Sequence, residues 1–325
     1  MEYPELDQTS RALSSVPEDT LVHTTHSLAG HTVIQEPFAG RGLTETYPLF
    51  PGITLTYVKY LGEQTVCHHH PDGGTLELSY CRTGRSGWKM RDGSTLYLGS
   101  GDCSVHLRSL CADSTMTFPN GFYQGLSICV DLDTFASQPL PLLQEAGVTG
   151  ALLCQRFCRD GGFTVLPGSE TTAPIFAGFY NIPSPLLTAY QKLKVQELLL
   201  YLCLVRPDTQ PGRYQAEQIQ IIKEVHQLLT HDLSQRITIE ALSRQFLMNP
   251  STLKATFKAV YGNSIAAHIR EHRMEAAARL LRESGESVSS ISRSVGYESQ
   301  SKFSAEFRKA FHMLPSEYRK LHQNP

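Results

Sequence analysis

The strongest constraint on this chain is a repeat near its end. Residues 237–262 read ITIEALSRQFLMNPSTLKATFKAVYG, and residues 287–312 read SVSSISRSVGYESQSKFSAEFRKAFH. Each run has the pattern of a helix, a tight turn and a second helix. Leu242 aligns with Ile291 at a shift of 49, whereas Leu253 and Phe257 align with Phe303 and Phe307 at a shift of 50. The second turn is therefore one residue longer. A repeated supersecondary unit dominates any reading of a fold. Here it suggests two copies of a nucleic-acid-reading unit, side by side.

The helix signals are specific. A helix is predicted over 216–230, with Ile219, Ile222, Val225 and Leu229 inward. Thr238 is placed to cap a helix that ends near Phe246. Asn249-Pro250 is a sharp start, because Asn caps and Pro at the first helical position loses no needed N–H. Leu253, Phe257 and Val260 then face inward, which leaves Ser251, Thr252, Lys254, Ala255 and Lys258 facing out. Gly262 stops that helix. Ser264 opens a connecting helix through Ser284, with Ile265, Ile269, Ala276, Leu280 and Leu281 as its apolar side. Ser287 caps the next helix and Gly296 ends it. Ser299 opens the last reader, with Phe303, Phe307 and Phe311 inward and Gln300, Ser301, Lys302, Ser304 and Ala305 outward.

A helix held across the turn of its partner can lay its N-terminal half in a major groove. Gln suits adenine, Lys suits guanine and Ser suits several bases. Lys258, Arg270, Arg273 and Arg308 are better placed for phosphates, which position a protein without reading sequence; Thr252 and Lys302 join that set. Charge agrees. From Gly212 onward there are 16 Lys+Arg against 11 Asp+Glu, and before it 13 against 20, giving +5 and −7 within a net −2. A plain helical bundle with solvated Ser and Lys is the competing reading, and the doubled pattern with paired caps weighs against it.

On these residues, region 238–320 resembles the DNA-binding domain of the AraC/XylS family of bacterial transcription regulators. NPSTLKATFKAVYG, RMEAAARLL, SVGYESQSKFSAEFRKAF and PSEYRK carry the resemblance, over about a quarter of the chain. It implies seven helices and two reader helices entering successive major-groove segments of double-stranded DNA. By position it assigns base contacts to Ser251, Lys254 and Ala255 in the first unit, and to Gln300, Ser301 and Ser304 in the second. Three departures fall at helix junctions: Ile265 replaces a usual proline, His312 a usual glycine, and Leu314 a usual Ser or Thr cap before Pro315. Ala255 and Ala305 cannot hydrogen-bond bases, so discrimination there leans on thymine methyls and DNA shape.

Upstream the texture changes. Residues 1–30 carry little pattern and read as a loose lead-in. From His31 to Leu132, short runs rich in Thr, Val, Tyr, Ile and Leu are separated by Gly, Asp and Pro, as in antiparallel sheets. Arg91-Asp92-Gly93-Ser94 reads as a hairpin turn. Leu96, Leu98, Cys103, Val105 and Leu107 alternate as half-buried strands do. Thr75 to His106, with Gly84 and Gly101-Asp102, resembles the cupin-like barrel that many members of this family carry before their reader domain. That implies a small-molecule effector and ligand-controlled promoter binding.

Residues 139–146 could form a short helix, and 184–206 a strong one. The second is apolar so widely that it serves either as core or as a homodimer face, and the two are compatible. Pro207 to Gly212 is the best linker. The expected architecture is α+β with two domains: a cupin-like β-barrel with helices (31–206, sensing and dimerisation), a linker (207–215) and an all-α domain with two helix-turn-helix units (216–325).

Candidate effector contacts are His68, His70, Trp88 and His106. Cys67-His68-His69-His70 resembles part of a metal-binding cupin motif, but Glu77 lies too far along for that pattern. Metal ligation, a polar effector contact and an exposed loop cluster all remain open. Trp88, the only Trp, could stack on a ligand or fill the core. A metal-dependent cupin enzyme fused to a DNA-binding tail would need a full ligand set and an acid–base pair, and neither appears at suitable spacing. An effector-independent DNA-binding protein is the other alternative. No cofactor and no metal site are expected. The eight Cys all precede Gly212 at irregular spacing and read as free buried thiols, with Cys154 and Cys158 the one pair that invites a redox or metal role. There is no secretory signal and no membrane-length apolar run, so a cytoplasmic protein is expected, with RNA polymerase a partner if it activates transcription. Effector, operator and the sign of regulation are not encoded in these patterns.

Overall fold

The computed structural model describes residues 4–27, 30–67, 74–111, 113–159, 163–205 and 214–323. The chain divides into two compact units, Glu5–Tyr214 and Gln215–Pro325. Most of the expected linker, residues 207–213, lies outside the described residues, as do His68 and His70.

In the N-terminal unit, α1 (Pro4–Ala12) is followed by β1 (Thr20–Ser27), β2 (Gly30–Pro37), β3 (Gly40–Phe50), β4 (Ile53–Gly62), β5 (Gln64–Cys67) and β6 (Thr75–Lys89). Next come β7 (Thr95–Gly99), β8 (Cys103–Leu107), β9 (Ser114–Thr117) and β10 (Phe122–Asp131). Then follow α2 (Leu132–Ser137), α3 (Pro141–Glu145), α4 (Gly150–Phe157), β11 (Thr164–Leu166), α5 (Ala173–Ala177) and α6 (Leu187–Leu204).

The main path runs β11-β8-β6-β10-β4-β3-β1-β2, with β5, β7 and β9 gathered beside the far half of β6. Along this path β1 pairs β3 in parallel, and the other pairings are antiparallel. Among the described residues the path is open, from β11 to β2. The closed barrel expected from the sequence is therefore not seen. β2 forms the free end of this path, with all its residues exposed. Residues 1–30 are not a loose lead-in throughout: α1 and β1 are formed, and Leu13, Val16 and Leu21 are buried.

β6 is one long strand that serves both groups of strands. It pairs β10 through Gly84 and β7 from Arg85 onward. Gly84 has φ +79°, and a Cβ there would stand 2.3 Å from the Phe122 carbonyl oxygen, so this corner needs glycine. The 91–94 hairpin forms as expected, with Asp92 Oδ1 accepting from Ser94 N at 2.9 Å and Gly93 at φ +81°. Gly101-Asp102 is structural too: Asp102 accepts from Gly99 N at 2.8 Å and Gly168 N at 3.1 Å. β7 is buried on both faces and not alternately, because its two sides are both covered.

Two apolar clusters fill this unit. One joins Leu55, Leu76, Leu78, Ile128 and Val130 to Val195, Leu198, Leu199 and Leu202 of α6. The other holds Trp88, Leu96, Leu98, Phe118 and Tyr123. Each fully buried aliphatic side chain contributes roughly 1.5–3 kcal/mol, so α6 is fixed to the sheet by its inner face. Its outer face leaves Tyr190, Leu193 and Leu204 exposed, as is Leu186 just before it. Both sequence readings of this helix thus keep their residues. Cys81, Cys103, Cys111, Cys129, Cys154, Cys158 and Cys203 form no disulfide; burial pushes the Cys158 thiol up to about 12, which makes it a poor nucleophile.

The C-terminal unit is helical: α7 (Ala216–His231), α8 (Ile239–Gln245), α9 (Pro250–Tyr261), α10 (Ile265–Glu283), α11 (Val288–Ser294), α12 (Gln300–Phe311) and α13 (Pro315–His322). Its second half packs Met274, Ala278, Leu281, Ile291, Phe303, Phe307 and Tyr318 into one core.

Candidate nucleic-acid interface

The two helix pairs, α8–α9 and α11–α12, form where the caps require. Thr238 Oγ1 accepts from Ala241 N at 3.1 Å, and Asn249 Oδ1 from Ser251 N at 2.8 Å. Ser287 Oγ accepts from Ser290 N at 3.1 Å, and Ser299 Oγ from Lys302 N at 3.4 Å. Each cap supplies an acceptor to a first-turn N–H that has no partner within the helix, which contributes about 1 kcal/mol.

The turns differ as the repeat alignment expects, and the difference has a conformational side. Leu247 and Gly296 occupy equivalent positions at the same shift of 49, and both have positive φ, +49° and +80°. Glycine enters this region freely; leucine does so under strain. The two C-caps also match. Gly262 (φ 85°) ends α9, and His312 (φ 59°) ends α12 in the same left-handed conformation. The sequence departure at His312 therefore keeps the backbone path of a glycine. At Leu314, which has no side-chain acceptor, Glu317 Oε2 accepts from the Leu314 N–H at 2.7 Å and fills part of the missing cap.

Each reader helix has twelve residues, about 18 Å at 1.5 Å per residue. In α9, Leu253, Thr256, Phe257 and Val260 are buried, while Ser251, Lys254, Ala255 and Lys258 are exposed and Thr252 is half-buried. In α12, Phe303 and Phe307 are buried, while Gln300, Ser301, Lys302, Ala305 and Arg308 are exposed and Ser304 is half-buried. The residues assigned to bases thus share the solvent face of each helix, in its N-terminal half.

The two remaining arginines are engaged within the unit. Arg270 Nε lies 3.8 Å from Glu306 Oε2 on α12. Arg273 is half-buried; its Nη2 donates to the Gln235 carbonyl at 2.9 Å, and its guanidinium sits 5.9 Å from the Tyr297 ring centre. Burial lowers its pKa. Arg273 braces the second turn, where a Cβ at Gly296 would stand 2.7 Å from its Nη2.

Of the effector residues chosen from the sequence, Trp88 and His106 fall among the described residues, and His68 and His70 do not. Trp88 and His106 are both buried, with ring centres 6.1 Å apart, and Trp88 belongs to an apolar cluster. A cavity of about 250 Å³ lies elsewhere in the N-terminal unit, lined in part by Tyr47, Tyr57, Lys59, Arg82, Gln124 and Tyr180. Arg82 lies over the Tyr180 ring at 4.1 Å, and the Tyr57 hydroxyl donates to the Phe179 carbonyl at 2.8 Å. Sequence reasoning missed this group because its members come from five separate stretches. The alternation of Tyr47, Tyr57 and Lys59 on neighbouring strands was the one available signal.

This geometry defines a class: two helix-turn-helix units sharing one helical unit. A family model described as a helix-turn-helix domain matches residues 242–321. A Streptomyces lividans protein provisionally named an AraC-like transcription regulator is 38% identical over 92 residues, which cover 28% of this chain and 30% of that one. The regulatory protein SoxS of Salmonella typhimurium is 29% identical over 100 residues, covering 31% of this chain and 94% of that one. The C-terminal domain of AraT, a response regulator of Geobacillus stearothermophilus, is a solved structure at 29% identity, a TM-score of 0.31, and coverage of 32% of this chain and 88% of that one. The chain spans less than half the length of the first relatives it matches, 27% to 46%. The C-terminal unit is an AraC-type helix-turn-helix domain. No helix among the described residues is long and apolar enough to cross a membrane.

Proposed function

We propose that this protein is a sequence-specific DNA-binding transcription regulator of the AraC/XylS type. The observation that carries the reading is the pair of exposed polar faces on α9 and α12, each at the N-terminal half of a capped reader helix. Ser251, Lys254, Ala255, Gln300, Ser301 and Ser304 contact bases in this reading. Thr252, Lys258, Lys302 and Arg308 contact phosphates. Arg270 and Arg273 join them only by releasing the Glu306 and Gln235 contacts. The regulators among its relatives support the same reading by name.

The N-terminal unit, cupin-like in this reading, binds a small molecule in the Tyr47–Tyr57–Arg82–Tyr180 cavity. Its several aromatic rings, with Arg82 and the Lys59–Glu45 pair at 4.0 Å, suit an aromatic effector with a polar group. Homodimerisation uses the exposed stripe of Leu186, just before α6, and Tyr190, Leu193 and Leu204 of α6, at spacings of 4, 3 and 11 residues that keep one helix face. The protein works in the cytoplasm, at promoter DNA, and engages RNA polymerase where it activates. No catalysis is part of this reading.

The decisive experiment selects DNA from a random pool with the full chain, then measures binding to the selected duplex against salt. Affinity should fall steeply, with log K linear in log salt, because phosphate contacts release counterions. A flat salt response, or no enriched sequence, would refute the reading. Thermal-shift screening against metabolites separates an effector-gated protein from an effector-independent one.

A further inference from the structure

Three imidazoles converge inside the C-terminal unit. His226 comes from α7, and His268 and His272 come from α10, one turn apart. A nitrogen of each ring lies within 4.8 Å of the others, and Nε2 of His268 and Nε2 of His272 are 3.1 Å apart. Ring centres are separated by 5.0 Å for His226–His268, 5.5 Å for His226–His272 and 4.6 Å for His268–His272. His268 is buried, and the other two are half-buried. Tyr261 of α9 stacks on His226 at 4.5 Å and closes one side.

Packing accounts for the burial, and a hydrogen bond at 3.1 Å joins Nε2 of His268 to Nε2 of His272, but neither accounts for the nitrogen of His226 standing within 4.8 Å of both. Apolar side chains would fill this space without ring nitrogens that need partners. Burial first, and then the neighbouring imidazoles, lower His226 to about 4 and His268 to about 3; burial also lowers His272. The neutral imidazole is the form that ligates metal.

The distances fit a small cation. Zinc–imidazole bonds of about 2.0–2.1 Å place tetrahedral ligand nitrogens about 3.3 Å apart. The His268–His272 pair already stands close to that, and side-chain rotation of about 1.5 Å brings in His226. Nδ1 of His272 lies 3.8 Å from Glu275 Oε2, beyond direct hydrogen-bond reach. The other acid nearby on α10, Glu271, accepts from Asn263 Nδ2 at 3.0 Å.

We propose that His226, His268 and His272 form a binding site for a divalent first-row transition-metal cation, zinc by preference, with water as the remaining ligand. Three imidazoles from two helices match the ligand type and count of that ion. The metal ties α7 to α10 behind the first helix pair. Phe257 and Tyr261 of α9 pack on His268 at 5.4 and 4.8 Å, so the first reader helix rests on the site. Its effect is to stiffen the reader unit, and it holds whether or not the DNA reading does.

The test uses the full chain, purified without a polyhistidine tag and stripped with chelator. Zinc is titrated calorimetrically, cobalt(II) is followed by visible absorption, and thermal unfolding is recorded with and without zinc. Three variants go alongside: His226→Gln, His272→Gln, and a chain with His68, His69 and His70 all changed to Ala. The expected result is one zinc per chain, a four- or five-coordinate cobalt spectrum and a raised Tm. All three persist in the triple-Ala chain. The two Gln variants lose zinc binding. Zinc-edge X-ray absorption on the unmodified chain needs no substitution and should show imidazole scattering. Absence of binding, dominant thiolate scattering, loss of binding in the triple-Ala chain, or full binding in both Gln variants would each overturn the assignment.

Discussion

Replacing Leu247 by glycine should stabilise the C-terminal unit, although it removes a large apolar side chain. Leu247 is 94% exposed, so its side chain contributes almost nothing through burial. Its φ of +49° places it in the left-handed region, which costs an L-residue about 1–2 kcal/mol. Glycine removes that cost. It adds about 0.5–1 kcal/mol of chain entropy to be lost on folding. The net expectation is a gain of about 0.5–1 kcal/mol. Gly296, the equivalent turn residue, provides the internal control. There a Cβ would lie 2.5 Å from the Leu233 carbonyl oxygen, a contact with backbone that cannot yield cheaply. Gly296→Ala should therefore destabilise, and by more than Leu247→Gly gains. The assay is urea unfolding of the 213–325 fragment followed by far-UV circular dichroism, with the slope checked for constancy. A Leu247→Gly midpoint equal to or below that of the parent, at equal slope, would refute the reasoning and mean that Leu247 makes a stabilising contact.

Other outcomes follow from the same geometry. Lys254→Ala and Gln300→Ala should each weaken specific over non-specific DNA binding by about 1–3 kcal/mol; equal loss on random DNA would mean they touch only phosphates. Leu193→Glu should convert a dimer to a monomer in micromolar sedimentation without unfolding α6, because Leu193 is exposed; a monomeric parent chain removes the premise. Stability of the metal-free C-terminal unit should fall on acidification. His226 and His268 are lowered from 6.5 to about 4 and about 3, so the unfolded chain binds more protons between those values and 6.5. Glu275, raised from 4.5 to about 7 chiefly by burial, opposes this within its own window. The histidines outnumber it, and His226→Gln should flatten the slope of unfolding free energy against pH; an unchanged slope would show that His226 is not the titrating group.

The helical unit was largely readable because its signals are local. Asn249-Pro250, Ser287, Ser299 and Gly262 each act within four residues, and the repeat supplied a second copy against which to check them. The N-terminal unit was less so. β3 contains two glycines and a proline in GRGLTETYPLF, and β1 contains two His, so neither stands out by composition. Their strand state comes from neighbours: β1 lies between β2 and β3, and β3 between β1 and β4. β7 was legible as a strand but not as one buried on both faces, because cover from a second layer is not written in the strand. The same limit applies to sites. His268 and His272 are visible as a one-turn pair, but His226 joins them only when α7 packs on α10. Arg82 and Tyr180 meet over a separation that no spacing rule spans. Trp88 carried two readings, and its place in the Phe118–Tyr123 cluster satisfies the core one.

The parallel pairing of β1 with β3 has a consequence for how the chain is made. A hairpin zips from its turn, so β1 and β2 can pair as soon as they emerge. β1 cannot take its place beside β3 until β4 has fixed β3 from the other side. The core that β3 covers is completed only by α6, some 140 residues later. At about 5–20 residues per second, the nascent sheet waits roughly 7–30 s with its apolar face uncovered. The helical unit, whose contacts are mostly between neighbouring helices, closes soon after it appears. During synthesis the vulnerable species is therefore a half-built sheet.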